Sequence, residues 1–268
     1  MRRRWIGLLG LLLLGLVIVA GVLWPWPTLP APEKIDVPVT RLLVCPVGDP
    51  ALGKTQVRVT DQEPFVAGVL GEVAGEPSIA VDLENPAKPV VVKGSSSVVG
   101  LSTYTESNLS MTAPCAAPVT SGTWSAVPVD DASASTLIMT NVDQASGVID
   151  IFLYDQSGQL AVPGLSDIPV AGGQTVTLAI DHLVDSANPV AVVMRASKGR
   201  VAAVLRTIGS GGAQWVMPQR TADQDLVISG IPAGSGGRSL VLTNTSQTAP
   251  ATVEVEVMST EGSFAPMG

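Results

Sequence analysis

Histidine is almost missing: the 268 residues hold one, His182, with 2 Cys, 3 Phe, 2 Tyr and 5 Trp. One imidazole cannot build a zinc site of several His or Cys ligands, and any His-dependent triad would have to pass through His182. No G-x-S-x-G elbow accompanies it, so a solvent-facing or capping histidine is expected. Basic residues are scarce too, 15 against 23 acidic ones. With Arg2, Arg3 and Arg4 set aside, 12 remain against the same 23. That balance argues against a nucleic-acid or anionic-lipid surface, both of which need basic patches. Helix signal is sparse beyond the first segment. What is plentiful is apolar residues at 46%, with 27 Gly and 21 Pro, a composition for packed cores built from short strands and many turns.

One long apolar run is present. Residues 5–24 form 20 positions without a charge, enough at the helical rise to cross a hydrocarbon core of roughly 30 Å. A cleaved signal would carry a shorter apolar region of roughly 7–15 residues and a small-x-small site; Ile18-Val19-Ala20 is a poor one. Trp5, Trp24 and Trp26 mark the two ends, as an interfacial belt would, and the three Arg hold the N-terminus in the cytoplasm. The sequence therefore predicts a cytoplasmic Arg cluster and transmembrane signal anchor over residues 1–24. A Pro-rich, extended linker over 25–36 follows, and everything beyond it is extracytoplasmic.

Past the linker the chain repeats itself. Residues 135–164 return at 238–268, with Leu137, Thr140, Asn141 and Gly158 recurring as Leu240, Thr243, Asn244 and Gly262. The offset grows by one residue between Asn and Gly, which places an insertion in the intervening loop. A second echo joins residues 89–100 to 189–203. A period near a hundred residues is one all-β module rather than a solenoid turn. The expected fold is all-β, with tandem antiparallel β-sandwich (Ig-like) modules over 37–120 and 121–220 and a partial third over 221–268, which is either cut short as a fragment or completes a sheet of an earlier module. Asp155-Gln156-Ser157-Gly158 reads as a hairpin turn mirrored by Ser259-Thr260-Glu261-Gly262. Residues 177–185 read as a short helix or turn, with Asp181 as its cap.

Three motifs resemble chemistry. Residues 48–55, GDPALGKT, match the phosphate-binding pattern G-x-x-x-x-G-K-[ST]. That mechanism needs a helix to open at the Lys-Thr pair, whereas Gln56-Val57-Arg58-Val59-Thr60 alternates as a strand, so a Gly/Pro loop is expected instead. Cys45 and Cys115 are the only cysteines, and an even count in an exported chain favours a disulfide between them. Trp124 and Trp215 each precede a repeated strand; they are candidate sugar-stacking contacts on the surface or, alternatively, plugs at the end of a sandwich core. The acids at 130–131, 143, 155 and 223–225 sit in turn-like settings and suggest no catalytic pair.

Residues 43–46 (LVCP), Pro114-Cys115 ahead of Trp124, the Arg-led anchor and the Leu-x-x-Thr-Asn strand leading to Tyr154-Asp155 together resemble an uncharacterised actinobacterial family. Its members are exported, N-terminally anchored proteins with tandem β-sandwich modules. The resemblance implies no assigned activity and transfers no site residues. The expectation is a non-catalytic envelope protein with a binding or scaffolding role, requiring no cofactor or metal, and touching the membrane through residues 5–24 and an envelope protein or glycan beyond it. A glycan-binding module and an exported carbohydrate-active hydrolase are the alternatives.

Overall fold

The computed structural model describes residues 40–184, 188–209, 212–219, 225–228, 240–244, 246, 249–260 and 262–265. The expected anchor and linker lie outside them. Among the described residues no helix is long and apolar enough to cross a membrane. All described elements are strands, every pairing between them is antiparallel, and they belong to one compact unit beginning at residue 39.

The first lobe holds β1 (Arg41–Cys45), β2 (Gly53–Val69), β3 (Ser78–Glu84), β4 (Val90–Gly94), β5 (Val99–Glu106) and β6 (Leu109–Pro114). Its organising element is the 17-residue β2. The N-terminal part of β2, alternating buried and exposed residues from Thr55 to Thr60, pairs with β3 on one side and β5 on the other. Its C-terminal part, Val66 to Val69, pairs with β4, which carries β1 on its far edge. One strand thus serves two sheets, and the change-over falls at residues 61–64, where the register with β3 shifts. Asp61 anchors that bend: its carboxylate accepts hydrogen bonds from the Ser95 amide and hydroxyl and from the Ser97 hydroxyl. Sequence alternation runs only to Thr60, and Asp61-Gln62-Glu63-Pro64 re-aim a continuous strand, as bulges do. Leu43, Val57, Val59, Phe65, Val90, Val92 and the two cysteines fill the space between the sheets.

The second lobe holds β7 (Ser121–Val127), β8 (Ala134–Thr140), β9 (Gly147–Asp155), β10 (Gly158–Leu160), β11 (Ile168–Val170), β12 (Thr175–Ala179), β13 (Val190–Lys198), β14 (Ala202–Gly209) and β15 (Gly212–Val216). They form two sheets, β10-β9-β13-β7 with β11 beside β9, and β12-β8-β14-β15. Trp124, Leu137, Met139, Ile149, Ile151, Leu153, Val192, Met194 and Leu205 from both sheets share one core. The repeated stretch therefore does not form a hairpin from its first two strands: β8 and β9 lie in different sheets and meet across the core, joined by a loop that Asn141 organises. Buried Asn141 donates from Nδ2 to Ala145 O and Val170 O and accepts the Asp143 amide on Oδ1. The hairpin is β9–β10, closed at Asp155 and Gly158 with Gly158 at φ +116°, a conformation that costs glycine little. Thr177, Leu178 and Ala179 extend β12, and residues 181–183 form a turn rather than a helix.

In the second copy β16 (Val257–Ser259) and β17 (Gly262–Phe264) repeat the hairpin, with Gly262 at φ +132°. Asn244 repeats Asn141: Oδ1 accepts the amide two residues on, from Ser246, and Nδ2 donates to Ala249 O, one residue later than its counterpart. That extra residue is the insertion inferred from the offsets. Leu240 and Leu242, which match buried Leu137 and Met139, are exposed.

Candidate functional site

The outer face of the β12-β8-β14-β15 sheet is divided in two. Cross-strand partners share a face, and the registers place Thr136 beside Arg206, and Arg206 beside Trp215, in one row. The next row carries Thr177, Ile138 and Val204. On the β14–β15 side this face is covered by β5 and β6, whose Tyr104, Met111 and Ala113 pack with Ile138, Val204 and Trp215. On the β12–β8 side it stays open. There Thr136, Thr175, Thr177 and Arg206 look across at residues 47–49 and 87–89 of the first lobe, and a cleft of about 450 Å³ remains between them. That volume lies in the range of small-molecule sites, roughly 300–1,000 Å³.

Tyr104 holds the near wall. It is fully buried, its ring lies 6.3 Å from that of Trp215, and its hydroxyl contacts Asp49 O at 3.0 Å and Glu106 Oε2 at 3.1 Å. Burial first, and then the Glu106 carboxylate, push its ionisation up to about 12, so it stays a neutral donor. The ring accounts for the glycines of the phosphate-loop pattern. A Cβ on Gly48 would stand 2.2 Å from Tyr104 Cδ2, and one on Gly53 would stand 2.4 Å from Thr105 O. These glycines let an aromatic ring press against backbone. The loop's amides are already committed, Gly48 N to Thr55 Oγ1, Ala51 N to Asp49 Oδ1, and Leu52 N and Gly53 N to Asp49 O. Gly53 then opens a strand, so the loop lacks the helix N-terminus that phosphate binding requires.

The charged groups lining the cleft are Asp49, Lys88 and Arg206. Arg206 Nε is buried without a hydrogen-bond partner. Sequence reading passed over Lys88, Arg206 and the three threonines, because they come from four separated segments and none sits in a motif. The signal that could have found Arg206 is an isolated charge directly after the apolar run of residues 201–205.

The residues singled out from sequence lie elsewhere. Cys45 and Cys115 are joined by a disulfide, buried in the first-lobe core. Trp124 is 0% exposed and donates from Nε1 to Val216 O, and Trp215 is 7% exposed against Tyr104. Neither indole presents a face for sugar stacking: Trp124 fills the second-lobe core and Trp215 the contact between lobes. His182 is exposed beside Asp181, whose Oδ1 accepts the Ser135 amide, so the pair serves a turn. Among the acids, the Arg200 guanidinium holds Asp143 below the usual carboxylate range, and the Ser157 hydroxyl does so for Asp155. Among the described residues no three His, Cys, Asp or Glu side chains are placed to hold a metal ion.

Residues 93–268 match the model of a family described as Family of unknown function (DUF5719), and the chain belongs to that family. The match opens at Lys93, the fourth residue of β4, so β1 to β3 lie outside it. No curated protein and no solved structure matches the chain.

Proposed function

We propose that this member of a family without assigned activity is a membrane-anchored, extracytoplasmic binding or scaffolding protein. Its two lobes are read as tandem antiparallel sandwich modules of Ig-like type, carried by the anchor over residues 5–24 and the spacer over 25–36. The observation that carries the binding role is the open cleft: two rigid sheet systems are fixed to each other by the buried Tyr104, Met111 and Trp215 contact, leaving a preformed concavity beside it. Its location outside the cytoplasm is supported by the Cys45–Cys115 disulfide, a bond favoured in oxidising compartments.

The hydrolase alternative calls for two close carboxyls with raised ionisation in a cleft. This cleft is lined by a single carboxylate and two cations, which favours binding over hydrolysis. Crosslinking in intact membranes followed by pulldown of the full-length chain tests the proposal. Recovery of a reproducible envelope partner is expected. No partner, together with hydrolysis of a wall polymer by the purified protein, would overturn it.

A further inference from the structure

We infer that the cleft between the lobes binds an anionic, hydroxyl-rich ligand: a saccharide unit bearing a carboxylate or phosphate. This names the ligand class for the binding role above and rests on that reading. The argument starts from where the cations are. The chain is acidic overall, at −8, yet two cations, Lys88 and Arg206, line one concavity. The ion pairs formed by other arginines, Arg58 with Asp82 and Arg200 with Asp143, are solvent-facing and self-contained. Lys88 and Arg206 form no such pair among the described residues.

Asp49 is the one carboxylate on the lining, and its Oδ1 already accepts the Ala51 amide at 2.9 Å. Arg206 lines the cleft as a half-buried side chain; its Nε–H is enclosed and lacks an acceptor, so contact with a ligand falls to the other guanidinium nitrogens. A planar guanidinium suits carboxylate or phosphate oxygens in pairs. Glu106 stands behind the near wall, where the Tyr104 hydroxyl binds it, so the lining itself carries two cations against Asp49; acids beyond about 10 Å are largely screened at 0.1 M salt.

The rest of the lining selects a sugar over a bare anion. Thr136, Thr175 and Thr177 project from neighbouring strands beside Gln174, each a donor and acceptor at strand spacing, while Ile138 and Leu70 offer apolar contact to the C–H face of a ring. Thr175 Oγ1 also meets Thr140 Oγ1 at 3.1 Å, which holds its rotamer.

The test is calorimetric titration of the full-length chain in detergent at low salt. The probes are a uronate disaccharide, a hexose monophosphate, a neutral disaccharide and inorganic phosphate. At least one of the two anionic sugars should bind, roughly tenfold or more weaker after Arg206→Gln, weaker after Lys88→Gln at its exposed position, and weaker with added salt. The neutral disaccharide should bind at least tenfold more weakly than that anionic sugar. The uronate and phosphate arms distinguish the two sources of charge. Absence of binding by both anionic sugars at millimolar concentration, or equal binding by wild type and both variants, would overturn the inference. Equal binding of inorganic phosphate and hexose phosphate would overturn the saccharide assignment. An unchanged urea midpoint shows that the variants fold. Recovery of an envelope partner by wild type and Arg206→Gln alike, with silent titrations, would refute the cleft while leaving the scaffolding role intact.

Discussion

Gly100 and the disulfide form a coupled pair whose energetics can be worked from the structure. The Cys45–Cys115 bond closes a separation of 70 residues, which in the chain-entropy account stabilises the fold by about 4 kcal/mol. Gly100 sits on β5 directly against that bond. A Cβ there would lie 2.4 Å from Cys115 Sγ and 3.2 Å from Cys45 Sγ, where carbon atoms prefer contacts of about 3.5–4.0 Å. The backbone at Gly100 is not left-handed, so the sulfur atoms are the chief obstacle to alanine. Overpacking of this kind costs about 1–3 kcal/mol. Once both sulfurs are removed by Cys45→Ala with Cys115→Ala, the cost of Gly100→Ala should fall below about 1 kcal/mol, a coupling typical of touching residues. Urea unfolding followed by far-ultraviolet circular dichroism on the four members of this cycle gives the coupling. Equal costs of Gly100→Ala in both backgrounds would refute the reasoning.

Four further substitutions probe other contacts. Asn141→Ala should cost about 1–3 kcal/mol in urea unfolding, because it strips the buried Val170 carbonyl and the part-buried Ala145 carbonyl of their donor. Asn244→Ala, at an exposed copy of the same turn, should stay within about 0.5 kcal/mol. Asp61 is held down to about 2 by the Ser97 hydroxyl first and then by Ser95. Its contribution is therefore present above the unfolded value of 3.8 and is lost as pH falls toward 2; Asp61→Asn should remove that part of the acid dependence, read from melting temperature against pH. Tyr104, raised to about 12, supports the fold fully below pH 10 and ceases to as pH climbs from 10 through 12. Tyr104→Phe should lessen that alkaline loss while lowering stability at pH 7.

What sequence revealed and what it hid divide along the distance of the interactions. Alternation in Gln56 to Thr60, the Pro-led β4 and β13, and the Asp155 to Gly158 turn are local, and each is found where the pattern places it. The parity of two cysteines was enough to pair them. The length of β2 was hidden because a polar bend inside a strand has the same composition as a turn. The separation of β8 from β9 was hidden because two apolar strands joined by a short polar loop read alike whether they hydrogen-bond or face each other. Gly48 and Gly53 match the phosphate-loop pattern for a reason unrelated to phosphate: glycine is demanded wherever anything approaches backbone closely, and here the visitor is the Tyr104 ring. The cleft was invisible because Lys88, Thr136, Thr175 and Arg206 meet only after both lobes have formed.

The disulfide also decides how the molecule would carry a mechanical load. Tension entering the chain ahead of β1 reaches Cys45 at the end of that strand and crosses the covalent bridge to Cys115, six residues before β7 begins at Ser121. Residues 46–114, which include β2 to β6 and the Asp49 and Lys88 wall, lie on a slack branch off this path. Pulled from its first strand, the protein would load β1, the bridge and the short segment into the second lobe while residues 46–114 stay off the covalent line of force, and a reducing agent would switch that branch into it.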